Sequence, residues 1–136
     1  MKKIISLVLC FVLVLSLAAC GGTTETTEFT PVSDGDVVGE GSTSFPLTIV
    51  DGEGNSITVT VNTDAETVGE ALMETGLAEG EQGDYGLYIH VVNGITAIYE
   101  ENATYWAFYI NDNYATTGAE LTPIAAGEHY TLKVES

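Results

Sequence analysis

Phe45-Pro46-Leu47-Thr48-Ile49-Val50-Asp51-Gly52-Glu53-Gly54-Asn55-Ser56-Ile57-Thr58-Val59-Thr60-Val61 is the stretch on which the fold turns. Its two ends are rich in Ile, Val and Thr, whose branched side chains suit a pleated strand. Between them lie two Gly, an Asp and an Asn, which accept the backbone angles of a tight reversal. The stretch therefore predicts a β-hairpin. In its second arm Ile57, Val59 and Val61 alternate with Thr58 and Thr60, so one face is apolar and the other wet.

Downstream the period changes. Thr67-Val68-Gly69-Glu70 reads as a helix start, with Thr67 as cap and Glu70 reaching back, and Val68, Ala71, Leu72 and Leu77 on one side. Gly76 is the expected stop. After Asp84 the period returns to two: Leu87, Ile89 and Val91 share one parity, and Tyr88, His90 and Val92 the other, read as outward. Asn93-Gly94 ends that strand. Thr104 to Ile110 predicts another, with Trp106, Phe108 and Ile110 on the core parity and Tyr105, Ala107 and Tyr109 on the outward one. His129 to Glu135 is the last strand. Strands around a single helix imply an α+β domain: a β-grasp-like mixed sheet with one helix packed on one face, its other face open.

Upstream, Lys2 and Lys3 precede an apolar run from Ile4 to Leu17, the pattern of an export signal and short for a retained membrane helix. Leu17-Ala18-Ala19-Cys20-Gly21 resembles the lipobox of bacterial lipoproteins. That resemblance implies cleavage before Cys20, lipidation of Cys20, and a protein anchored to the cell membrane on its extracytoplasmic face. Residues 1–19 are thus assigned to a signal peptide and 45–136 to one domain. Residues 20–44, mostly Thr, Glu, Gly, Ser and Asp, are expected to be an acidic flexible tether with a reach of roughly 25 to 30 Å.

Charge narrows the partners. Twenty carboxylates face three basic residues, Lys2, Lys3 and Lys133, of which only Lys133 follows the predicted cut. Such a surface repels phosphate backbones and anionic head groups, so no nucleic acid is expected as a partner. With Cys20 lipidated, the exported chain has no free thiol. It also has no Arg, its histidines are His90 and His129, and neither Gly-x-Ser-x-Gly nor His-Glu-x-x-His occurs. The expectation is a protein that is not an enzyme, with no catalytic residues. Asp51-Gly52-Glu53-Gly54-Asn55 offers alternating oxygens, but the spacing departs from a calcium loop and no metal site is assigned.

Tyr85-Gly86-Leu87-Tyr88, Asn93-Gly94, Tyr105-Trp106-Ala107-Phe108-Tyr109-Ile110-Asn111, Thr117-Gly118 and Gly127-Glu128-His129-Tyr130-Thr131-Leu132 together resemble the transcobalamin-like C-terminal domain family. The resemblance covers about Phe45 to Val134. It implies a β-grasp-like module which, in animal cobalamin carriers, holds cobalamin against a larger helical domain. No such domain occurs here, so the resemblance implies a ligand-binding accessory module, with cobalamin or a related corrinoid the leading ligand and a second protein chain completing the site. The alternative is a protein-interaction or divalent-cation-binding surface domain. Where the family commonly has Gly after Asn111, this chain has Asp112-Asn113, which predicts a longer or more acidic turn. If the strands carrying Tyr88, His90, Tyr105 and Tyr109 pair, those four line one surface, and they are the ligand-binding candidates. Trp106 is read as packing.

Overall fold

A computed structural model describes residues 30–84 and 86–136. The predicted signal peptide, Cys20 and the first part of the tether lie outside the described residues, as does Tyr85.

Among the described residues nine strands form two sheets. The hairpin is present as β2 (Thr43–Val50) and β3 (Ser56–Thr63), antiparallel in register from Thr43 opposite Thr63 to Val50 opposite Ser56. On its outer edge β1 (Val37–Val38) runs parallel to β3. On its other side β9 (Tyr130–Glu135) runs parallel to β2, placing Leu47 opposite Tyr130 and Val50 opposite Lys133. β7 (Tyr105–Ile110) pairs antiparallel with β9, and β8 (Asn113–Tyr114) closes the sheet, in the order β1-β3-β2-β9-β7-β8. A second sheet, in the order β4-β5-β6, is antiparallel and consists of β4 (Ala78–Gly83), β5 (Gly86–Val92) and β6 (Ile95–Thr96).

Alternation decides which face of the larger sheet is buried. Phe45, Leu47, Ile49, Val59, Val61, Tyr130 and Leu132 are all 2% exposed or less, and Trp106 and Phe108 join them from β7. Tyr130 is the hub: its ring meets Phe45 edge-on at 5.3 Å and stacks on Phe108 at 6.0 Å. Helix α1 (Val68–Glu74) covers this face with Val68, Ala71 and Leu72. The fold is therefore mixed α+β. A second short helix, Tyr99–Asn102, buries none of its residues.

The Thr67 hydroxyl accepts from the Glu70 amide at 3.3 Å, as its sequence position predicts. Glu70 reaches back to the Glu66 amide rather than to that of Thr67, so the reciprocal bond falls one residue earlier. Gly76 follows the helix at φ +76°, a left-handed angle glycine takes without strain.

Three expectations need correction. First, residues 30–42 are not free tether. The Asn93 side chain holds Val32 through a pair of bonds, accepting from its amide at 2.8 Å and donating to its carbonyl at 3.2 Å. The Thr58 amide donates to Asp34, and Thr60 to the Asp36 carbonyl. Side-chain and edge hydrogen bonds, to which hydrophobic patterning is blind, fix this segment. Second, the turn after β7 is not lengthened: Ile110 pairs directly with Asn113, and Asn111 and Asp112 take φ +49° and +66°. Asn and Asp tolerate that region well enough to stand in for glycine. Third, Val92 shares the outward parity of Tyr88 and His90 yet is fully buried, while Leu87 to Val91 are all half-buried.

Candidate functional site

The strands carrying the four predicted ligand residues do not pair. β5 bonds only to β4 and β6, and β7 only to β8 and β9. Tyr88 and His90 consequently form one cluster, and Tyr105 and Tyr109 another, in different sheets. The expectation of a single four-residue surface on paired strands is corrected: an antiparallel partner for β5 comes instead from Ala78–Gly83.

In the first cluster the Tyr88 and His90 rings meet edge-on at 4.4 Å. The Tyr88 hydroxyl accepts from the Tyr99 amide at 3.2 Å, tying β5 to the start of the short helix. In the second, Tyr109 donates to Glu135 at 2.6 Å and Tyr105 donates to the other oxygen of the same carboxylate at 3.4 Å. The bond to Glu135, followed by burial and the nearby charge, pushes the Tyr109 hydroxyl up to about 12. Tyr105 is also raised, by burial first and then by the Glu135 charge.

Trp106 is in the core, 8% exposed, and its indole N–H has no partner among the described residues. Among the described residues no three His, Cys, Asp or Glu side chains are grouped so as to hold a metal ion.

Two concavities lie around the β4–β5 hairpin. One cavity of about 400 Å³ is walled by Thr67, Gly69, Glu70 and Met73 of α1 and its cap, by Gly80, Gln82 and Leu87 of the hairpin, and by Glu120. A second, about 390 Å³, is walled by Gly83, Asp84, Gly86, Leu87, Tyr88 and Glu100. Leu87 is a wall of both.

Glycines make this geometry. A Cβ at Gly69 would collide with the backbone of Ala119 and Glu120, so only glycine lets α1 approach the 3-10 turn Ala119–Leu121. A Cβ at Gly86 or Gly118 would collide with the Glu120 carboxylate. That carboxylate accepts from the Leu87 amide at 3.0 Å with one oxygen, while the other is buried without a partner. Glu120 escaped the sequence reading because a lone Glu in a polar loop looks solvated. The signal for it was the glycine at Gly118, two residues before.

The model of the "Domain of unknown function (DUF4430)" matches residues 65–136, from just before α1 to the C-terminus. No curated protein matches the chain. Among solved structures, the chain is similar to a "putative metal binding protein" from Ruminococcus gnavus. There the TM-score is 0.64 and the identity 27%, over 70% of this chain and 98% of that one. It is also similar to haptocorrin, solved in complex with Cbi, with a TM-score of 0.47 and 18% identity over 69% of this chain and 25% of that one.

Proposed function

From a chain that belongs to the DUF4430 family, whose description assigns no activity, we propose a membrane-anchored, extracytoplasmic lipoprotein that binds a small ligand without transforming it. The β4–β5 hairpin is its binding surface. One observation carries this reading: two cavities of about 400 and 390 Å³ share Leu87 as a wall, and each falls within the usual size of small-ligand sites. Tyr88 lines one of them and Glu120 the other. The fold reading that accompanies it is β-grasp-like, supported by the hairpin β2–β3, the following helix, and the return of β9 parallel to β2.

A corrinoid is the first ligand to test. It offers a broad apolar ring with amide N–H groups at its rim, which suits a wall carrying Leu87, the Tyr88 ring and a half-buried carboxylate. On the β4–β5 surface alone much of the ligand stays wet, so the expected affinity is micromolar or weaker, roughly −8 kcal/mol or less favourable. Absorbance and thermal melting of the purified chain with cobalamin, cobinamide and haem test the reading. A corrinoid-dependent rise in melting temperature is expected, and its absence near millimolar ligand contradicts it.

Calcium in the same melt tests the second reading, a cation-binding surface, which draws on the acidic composition and on the description of the R. gnavus relative. The anchor rests on Leu17 to Gly21. Labelled palmitate is expected on the wild-type chain and not on Cys20→Ala, and equal labelling would refute it.

A further inference from the structure

The open face of the six-stranded sheet is unlike the rest of this acidic protein. Strand register lays Thr58, Thr48, Thr131, Tyr109 and Tyr114 in one row across five strands. At about 4.8 Å per strand the row spans roughly 19 Å. The Thr48 and Thr58 hydroxyls lie 3.0 Å apart. The neighbouring row holds Ser56, Val50 and Lys133 and ends on Ala107, which shares the outward parity of Tyr105 and Tyr109 but is buried, 1% exposed; beyond it Glu135 stands opposite Tyr105. Thr60 and Pro46 flank the other side.

The charges on this face are Lys133 and Glu135, 3.9 Å apart and of opposite sign, and Asp112 at its tyrosine end, 3.2 Å from the His129 ring. In a chain with twenty carboxylates, the face carries few charges and is covered in hydroxyls. At its tyrosine end is a depression of about 190 Å³ lined by Tyr109, Asp112, Thr131 and Lys133. An aromatic ring, a carboxylate, a hydroxyl and an ammonium group thus surround a space suited to a single sugar ring. The rings are held in place beforehand. Tyr109 is pinned by Glu135, and Tyr114, 61% exposed, meets it edge-on at 5.5 Å.

We propose that this face binds a neutral, extended glycan, with Tyr109 and Tyr114 stacking on sugar C–H faces and the threonine row following the chain. Charge selects this partner over others. A nucleic acid or anionic lipid needs a basic patch, and a basic protein would prefer the acidic surface elsewhere. A neutral polyhydroxyl chain needs aromatic faces with polar tips and fixed hydroxyl partners, and little ordering is left to do when the rings are already positioned. The site is on a different sheet from the hairpin cavities and stands whether or not a small ligand binds there.

Affinity electrophoresis of the full chain through gels containing mixed-linkage β-glucan, xyloglucan or galactomannan tests it, with polygalacturonate as the acidic control. Retardation by at least one neutral polysaccharide is expected, persisting in high salt because it does not rest on charge. Tyr109→Ala and Tyr114→Ala should each weaken it by about tenfold, the scale of one aromatic contact. Leu121→Ala, at an exposed residue on the 3-10 turn, should leave it unchanged, and thermal melts establish that each variant folds. Migration unaffected by all three neutral gels overturns the proposal. So does retardation that survives both tyrosine substitutions or disappears in salt.

Discussion

In the six-stranded sheet the inward positions of β2, β3 and β9 are Phe45, Leu47, Ile49, Val59, Val61, Tyr130 and Leu132, nearly without exposure. In the three-stranded sheet β4 reads Ala78-Glu79-Gly80-Glu81-Gln82-Gly83, and only Ala78 of these is buried. The first sheet is held by a continuous apolar face under a helix, where each buried side chain contributes on the order of 1.5–3 kcal/mol. The second joins that core through Ala78 and Val92, with Ile89 and Ile95 packed against it, while the rest of β4 is held by backbone pairing and by a close approach at Gly80 that only glycine permits. A sheet of the first kind is a scaffold. The second kind, with little side-chain filling along β4, leaves concavities along its surface, and the cavities of about 400 and 390 Å³ border β4 or β5.

If that contrast is right, deleting a large core side chain should destabilise the whole domain. Trp106→Ala removes a ring that is 8% exposed and is expected to cost about 3–5 kcal/mol, seen as a shifted denaturant midpoint with one cooperative transition. A change below about 1 kcal/mol would place Trp106 outside the core.

A smaller and more local effect is expected at Gly80. A Cβ there would collide with the Tyr88 carbonyl across the hairpin, at the point where the β4–β5 register shifts. Gly80→Ala should cost about 1–3 kcal/mol and raise amide exchange in β4 and β5 while leaving β2 and β9 protected. Uniform loss of protection across both sheets would erase the distinction between them.

The smallest effect is electrostatic and belongs to the larger sheet. A tyrosine hydroxyl raised to about 12 by its bond to Glu135 favours the neutral form in the fold. Its stabilisation is whole below about pH 10, the unfolded value, and is lost as pH rises towards about 12. Tyrosinate absorbance should show late-titrating tyrosines, Tyr109 and Tyr105 among them, that Glu135→Gln moves back towards the ordinary value. Titration identical in wild type and variant would remove the Tyr109–Glu135 bond from the account.

The same contrast explains what could be read in the sequence. Period-two alternation located β2, β3, β5, β7 and β9 to within a residue or two, and the Thr67 cap located α1, because those elements are built from apolar side chains and a side-chain cap. β4 was invisible: a run of Glu, Gly and Gln has neither strand propensity nor an apolar face, and its pairing is supplied by β5. β1 was hidden inside an apparently featureless tether for the same reason, since Asp34, Asp36 and Asn93 anchor it through hydrogen bonds. Missing β4 led to the wrong partner for β5, and so Tyr88 and His90 were grouped with Tyr105 and Tyr109. Glu120 was marked only by Gly118, two residues before it, because Gly69 and Gly86, which complete its surroundings, lie far from it in sequence.

The central claim, that the β4–β5 hairpin is the ligand-binding surface, is tested most directly by amide chemical shifts during a cobinamide titration of the full chain. The account predicts progressive movement at Gly86, Leu87 and Tyr88, with Thr48 and Thr58 on the opposite sheet unmoved. Shifts confined to the six-stranded sheet, or none at near-millimolar ligand, would contradict it.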